Sequence, residues 1–171
     1  MSESAETIAI FPGTFDPITH GHLDIIGRGR RLFGRLIIGV GINPEKAHLF
    51  DPDERVDMIR PLVAEMDNVA VQSYAGLTVD FARVVGAQFI LRGVRDIVDL
   101  RNELQQANTN LIVGDIETVF ILTGHEHALT SSTLIKQIVE LGGEDPGRLT
   151  RIVPTSVLEK LHARLRGRSG R

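Results

Sequence analysis

Residues 11–22, FPGTFDPITHGH, crowd two prolines, two glycines and two histidines into one short stretch. Gly13 and Gly21 let the backbone come close to a ligand, since neither carries a Cβ. A helix opening near His22 would present unpaired N–H groups and a partial positive charge, a good setting for phosphate. The His22 ring sits where it could donate a hydrogen bond to the same anion. Further cations stand along the chain: Lys46 just after Asn43-Pro44, and Arg92 and Arg95 on either side of Gly93. Arginines placed this way suit an anion clamp, because the guanidinium fork matches phosphate oxygens. Ser131-Ser132 can cap a helix and bind phosphate together, as both uses draw on one helix end. Taken singly, each has a plain structural reading: a tight turn, a solvated lysine, surface arginines, a capping serine. The whole string at 11–22 is much harder to explain that way.

Other chemistries fall away. No G-x-x-x-x-G-K-[ST] occurs, and Gly39-Val40-Gly41 lies inside a strand without the third glycine of a dinucleotide fingerprint. The chain has no cysteine, which removes disulfides, a thiolate nucleophile and thiolate-bound metal. No serine has a convincing base partner, so a covalent intermediate is not indicated. His125-Glu126-His127 invites a metal reading, but a hard cation accompanying phosphates prefers oxygen ligands, and no protein-held metal is expected. The net charge of −3 over 171 residues argues against a general nucleic-acid-binding surface. The start, MSESAETIAIF, does not read as a signal peptide, and no apolar run approaches the roughly 20 residues of a membrane span. A cytoplasmic location with no membrane partner is expected.

The elements that must position these residues follow from the hydrophobic pattern. Apolar strand-length runs at Thr7–Phe11, Arg35–Ile42, Val69–Tyr74, Phe89–Arg92 and Thr118–Thr123 alternate with segments of helical period. Those segments are His22–Phe33, Asp51 to about Met66 with a break at Pro61, Val79–Val85, Ile97–Leu111, Ser131–Leu141 and Ser156–Leu165. Asp51-Pro52-Asp53-Glu54 carries a helix-start signature of cap, proline and acidic third position. Near-continuous apolar strands between helices predict an α/β fold: one domain over 1–171, with a Rossmann-like, doubly wound, five-stranded parallel sheet and helices on both faces. Residues from Arg164 on are rich in Arg and Gly, and 166–171 are expected to fray. Such sheets bind ligands outside the carboxyl ends of their strands, so function should lie just after Phe11, Ile42, Tyr74, Arg92 and Thr123.

Thr19-His20-Gly21-His22 matches the (H/T)-x-G-H signature of a large class of nucleotidyltransferases. With PGTFDPITHGH, NPEKAHLF, DERV, ILRGVRD, ETVFILT and SSTLIK in the same order, the chain resembles the phosphopantetheine adenylyltransferase family from about Ile8 to Leu165. The resemblance implies transfer of AMP from ATP to 4′-phosphopantetheine, giving dephospho-coenzyme A and pyrophosphate, with Mg²⁺ accompanying ATP. It implies catalytic roles for His22, Lys46 and Arg95, and an acceptor pocket of Thr14, Lys46, Thr78 and Arg92. The ATP contacts it implies are Thr14, Phe15, His22, Gly93, Val94, Arg95 and Glu103, then the segment His127, Ala128, Leu129, Thr130, Ser131, Ser132 and Thr133. It also implies a homo-oligomer, commonly a hexamer.

The chain departs from the family in two places. Leu100-Arg101-Asn102-Glu103 stands where Phe-Glu-Tyr-Glu is common, and an aromatic near His127 and a third serine at Thr133 are missing. Two alternatives remain: a related transferase with another phosphate acceptor, or a nucleotide-binding paralogue without catalysis.

Overall fold

The computed structural model describes residues 6–42, 47–124, 131–141 and 145–169. Its strands are β1 (Ile8–Gly13), β2 (Arg35–Ile42), β3 (Val69–Ala75), β4 (Phe89–Val94) and β5 (Glu117–Leu122). Its helices are α1 (His20–Gly29), α2 (Pro52–Ile59), α3 (Thr78–Val84), α4 (Ile97–Gly114), α5 (Ser132–Glu140), α6 (Pro146–Leu149) and α7 (Thr155–Ser169). The strands form one five-stranded sheet in the order β3-β2-β1-β4-β5, and every pairing is parallel.

Alternate residues of the strands feed two cores, one per face. Ala9, Phe11, Leu36, Ile38, Val40, Leu91 and Ile121 pack with apolar residues of α1, α2, α5 and α7. Ile10, Ile37 and Ile90 point the other way and meet Val79, Phe81 and Ala82 of α3. Burial on both faces is why these strands read as apolar runs rather than as alternation.

Several boundaries move from those the sequence predicts. β1 continues through Pro12-Gly13, because both residues pair with β2, at Gly39 and Val40. α1 begins at His20, capped by Thr19, and ends at Gly29; Phe33 lies beyond it but is buried in the core. α2 has the expected Asp51–Glu54 capping box, stops at Ile59, and passes into a 3₁₀ turn at Arg60–Val63 where Pro61 removes a donor. The four-residue α6 has no counterpart in the hydrophobic pattern. α7 runs to Ser169, past the helix end expected at Leu165; Leu165 is buried, and Arg164 donates to the Leu49 carbonyl at 2.9 Å, pairs with Glu54 and lies 5.0 Å above the Phe50 ring.

The feature that matters most for function lies between β1 and β4. Their ladder covers only Ala9↔Phe89 and Ile10↔Ile90, so the strands part from Phe11 onward. The direction of strand order also reverses between them, which opens a crevice at the carboxyl ends.

Candidate active site

Two adjoining cavities open at the carboxyl ends of the strands. The smaller, about 300 Å³, is lined by the β1–α1 loop, His22, the end of β4, and Ser131 to Thr133. The larger, about 1070 Å³, lies between the ends of β1 and β2, the start of α3 and one face of α4. Pro12, Gly13, Thr14 and Arg92 line both.

The β1–α1 loop is held by its own side chains. Phe15 has a φ of 50°, in the left-handed region that an aromatic residue adopts only under constraint. Its ring is buried edge-on against Phe11 and His22, with centroids 5.5 and 5.0 Å away. A Cβ at Gly13 would come within 2.8 Å of that ring, so the strand end needs glycine there. Asp16, 3% exposed, accepts from Leu49 N–H (2.9 Å), Phe50 N–H (3.0 Å) and Lys136 Nζ (2.9 Å). Burial alone would raise the Asp16 carboxyl, but these bonds, led by that from Leu49, outweigh it and hold the group below the usual carboxylate range.

His22 occupies the third position of α1 and closes a capping box with Thr19. The Thr19 N–H donates to His22 Nδ1 at 3.1 Å, and the His22 N–H donates to Thr19 Oγ1 at 3.4 Å. Because an amide can only donate, Nδ1 is unprotonated and Nε2 carries the hydrogen. Burial, and then the nearby charges of Arg95 and Arg92, push the imidazole down to about 4. The ring is therefore a neutral hydrogen-bond donor at physiological pH.

The arginines are braced by acids on α4. Arg92 binds Glu103 bidentately at 2.6 and 2.6 Å and donates to the Pro12 carbonyl at 2.7 Å. Glu103 is the buried residue of α4, at 8% exposure. Arg95 binds Asp99 through Nη2 (3.0 Å) and its backbone N–H (3.1 Å), and that hydrogen bond holds its guanidinium more firmly protonated than usual. Burial raises the Asp99 carboxyl, yet Arg95 outweighs this and keeps it below its ordinary value.

Most residues singled out in the sequence meet here. Thr14, Phe15, His22, Arg92, Gly93, Arg95, Glu103, Ser131, Ser132 and Thr133 all line the smaller cavity. Ser131 caps α5 by accepting from the Leu134 N–H, and Ser132 Oγ donates to the Pro17 carbonyl at 2.8 Å. Thr78 lines the larger cavity, its Oγ1 2.9 Å from the Tyr74 hydroxyl. Val94 is buried and lines neither cavity; its carbonyl accepts from Thr123 N–H at 2.8 Å. Lys46 and His127 to Thr130 lie outside the described residues, as do His125 and Glu126. Among the described residues no group of three or more His, Asp or Glu could hold a metal ion.

Sequence reasoning missed Asp16, Arg55, Asp99 and Lys136. Asp16 sits in the motif but reads as a turn residue; Asp99 lies in the first turn of α4 and Arg95 just ahead of that helix, so no helical spacing rule links the pair.

Comparison with known proteins agrees with the geometry. The cytidylyltransferase-like family matches residues 10–138. The phosphopantetheine adenylyltransferase of Synechococcus sp. (strain JA-3-3Ab) is 46% identical over 158 residues, covering 92% of this chain and 97% of its own. That of Desulfosudis oleivorans (strain DSM 6200 / JCM 39069 / Hxd3) is 44% identical over 155 residues, covering 90% and 92%. That of Heliobacterium modesticaldum (strain ATCC 51547 / Ice1) is 42% identical over 164 residues, covering 95% and 98%.

Proposed function

The chain belongs to the cytidylyltransferase-like family, among its phosphopantetheine adenylyltransferases, and on that premise we propose that ATP occupies the smaller cavity and 4′-phosphopantetheine the larger. The observation that carries this assignment is the wall the cavities share, Pro12, Gly13, Thr14 and Arg92, where two phosphate groups can meet. The larger cavity presents Asn102, Gln105, Gln106, Thr109 and Asn110 along α4, groups suited to the amides of a pantetheine arm.

The reaction is an in-line displacement. An oxygen of the acceptor phosphate attacks the α-phosphorus of ATP, a new P–O–P linkage forms, and the bond to the β-phosphate bridging oxygen breaks. Pyrophosphate leaves with that bond's electron pair, and the product is dephospho-coenzyme A. The protein contributes position and charge rather than covalent chemistry. His22 Nε2–H donates to the α-phosphate oxygens as negative charge builds. Arg92 and Lys46 hold the acceptor phosphate, and Arg95 and the start of α5 face the departing pyrophosphate.

Mg²⁺ fits as the companion of ATP rather than as a resident ion. The smaller cavity's acids Asp99 and Glu103 are each held by an arginine, which leaves phosphate and water oxygens to satisfy an octahedral cation. When bound, it neutralises phosphate charge.

A homo-oligomer, a hexamer by family resemblance, is supported by the exposed apolar residues of α4, among them Ile97 and Ile112. A cytoplasmic location is part of the same reading; no helix among the described residues is long and apolar enough to cross a membrane.

The test is pyrophosphate release from ATP and Mg²⁺ with 4′-phosphopantetheine, with nicotinamide mononucleotide, or with no acceptor. Release with phosphopantetheine alone, with dephospho-coenzyme A as product, is expected. ATP binding with no release would sink the assignment of the acceptor.

A further inference from the structure

Arg55 has no part in the scheme above, yet it is the most deeply buried charge among the described residues, at 0% exposure. It stands on α2 one turn after the Asp51 cap, and its guanidinium is spent on backbone carbonyls. Nη1 donates to the Thr14 carbonyl at 2.7 Å and to the Gly41 carbonyl at 3.1 Å, while Nε donates to the Asp51 carbonyl at 3.3 Å. Nη2 is buried with no partner among the described residues. Burial works against this charge, and the fields of Asp16 and Asp51 partly offset the cost.

The two carbonyls explain what such a costly group could be for. Thr14 directly follows β1, and Gly41 lies near the end of β2, so one guanidinium fastens the carboxyl ends of neighbouring strands together. A trans peptide points its N–H opposite its carbonyl. Holding the Thr14 carbonyl on Arg55 therefore turns the Phe15 N–H to the far side of that peptide. The Phe15 N–H makes no hydrogen bond among the described residues, and Phe15 lines the smaller cavity. Thr14 itself sits on the wall between the cavities, and Gly41 stands five residues before Lys46.

We propose that Arg55 is a positioning residue for adenylyl transfer: it fixes the Thr14–Phe15 peptide and the exit of β2, and so sets the approach of one substrate's phosphate to the other's. The inference rests on the two-substrate reading above. It makes Arg55 matter more for turnover than for binding, because misplacement by about 1 Å can cost on the order of 10²-fold in rate.

The experiment compares wild type, Arg55→Met and Arg55→Lys in kcat, in KM for each substrate, in Kd for ATP, and in circular dichroism and thermal unfolding. Wild-type turnover with phosphopantetheine comes first; its absence would sink the reaction assignment, a result separate from anything the variants show. For a folded Arg55→Met, kcat is expected to fall roughly 10²-fold while Kd for ATP changes by less than about threefold. Arg55→Lys keeps the charge and can reach one carbonyl, so it should recover part of the lost kcat. A folded Arg55→Met with kcat within about twofold of wild type overturns the proposal. So does a loss confined to ATP affinity.

Should both variants fail to fold, the wild-type protein decides. Its labelled Phe15 amide and Arg55 Nε–H resonances are followed while a non-hydrolysable ATP analogue is added. Both are expected to shift together. A Phe15 shift with Arg55 unmoved overturns the coupling.

Discussion

One side of the His22 ring is committed before any substrate arrives, because the Thr19 N–H occupies Nδ1. The other nitrogen must then carry the proton, and burial beside Arg95 and Arg92 keeps the ring from taking a second one until about pH 4. A nuclear magnetic resonance titration should show Nδ1 unprotonated and a midpoint near 4; a midpoint near the ordinary 6.5 would overturn the neutral-donor role. The sign for stability follows from the same shift. Above pH 6.5 folded and unfolded chains bind the same number of protons at this site, so nothing is lost. Between 6.5 and about 4 the unfolded chain takes a proton that the folded ring refuses, and stability falls as the pH drops. Replacing His22 with Ala removes the donor, and turnover should fall on the order of 10²–10³-fold with ATP binding largely kept. Turnover near normal in that variant would end the assignment. The position of His22 was legible in the sequence because the motif is local. Its tautomer was not, since histidine at the third position of a helix does not match the usual Ser/Thr-x-x-Glu/Gln capping box.

The elements are tied to one another through a buried acid whose partners lie far apart in sequence. Asp16 joins the β1–α1 loop to residues 49–50 and, through Lys136, to α5. Its folded carboxyl titrates below the unfolded value of 3.8, so its contribution is complete above about pH 4 and is lost as the pH falls through the lower folded value. Asp16→Asn should lower stability by about 1.5–3 kcal/mol, the worth of hydrogen bonds to a charged group, read as a shift in urea midpoint at neutral pH. The deficit should shrink as the pH falls below about 4, because the unfolded aspartate then takes up a proton that the folded one still refuses. An unchanged midpoint at pH 7 would show that the network carries no stability. Strand and helix identities followed from apolar runs and helical period, since the central strands β1 and β2 are buried on both faces. These cross-links did not, because Asp16 meets its partners 33, 34 and 120 residues away, and Arg55 meets Thr14 across 41. On sequence, Arg55 in Asp53-Glu54-Arg55 reads as one more charge on a solvated helix, and only the packed α2 shows it at the centre.

At the scale of the molecule, the strand order and the crevice between β1 and β4 explain why residues from three separate strand-to-helix connections share one site. The sheet leaves α4 unaccounted for. This 18-residue helix buries Glu103 alone, and that acid serves Arg92 rather than a core. Ile97, Leu104 and Leu111 recur every seven residues along it, with Val98 and Ile112 beside them, and their exposures run from 40% to 84%. A seven-residue apolar stripe on a long helix is the pattern of helix-to-helix packing. A patch of this kind on an isolated chain is an association surface or a liability. Association is the consistent reading here, because a second copy would cover the apolar stripe while Asn102, Gln106 and Asn110 remain free to line the larger cavity. Sedimentation velocity should therefore find an oligomer at micromolar concentration. Replacing Ile97 and Ile112 together with Glu puts two desolvated charges into such an interface, and the population should move to smaller species with the fold intact by circular dichroism. A wild-type protein that sediments as a monomer, or a double variant that sediments unchanged, would show that α4 meets solvent and that its stripe needs another explanation.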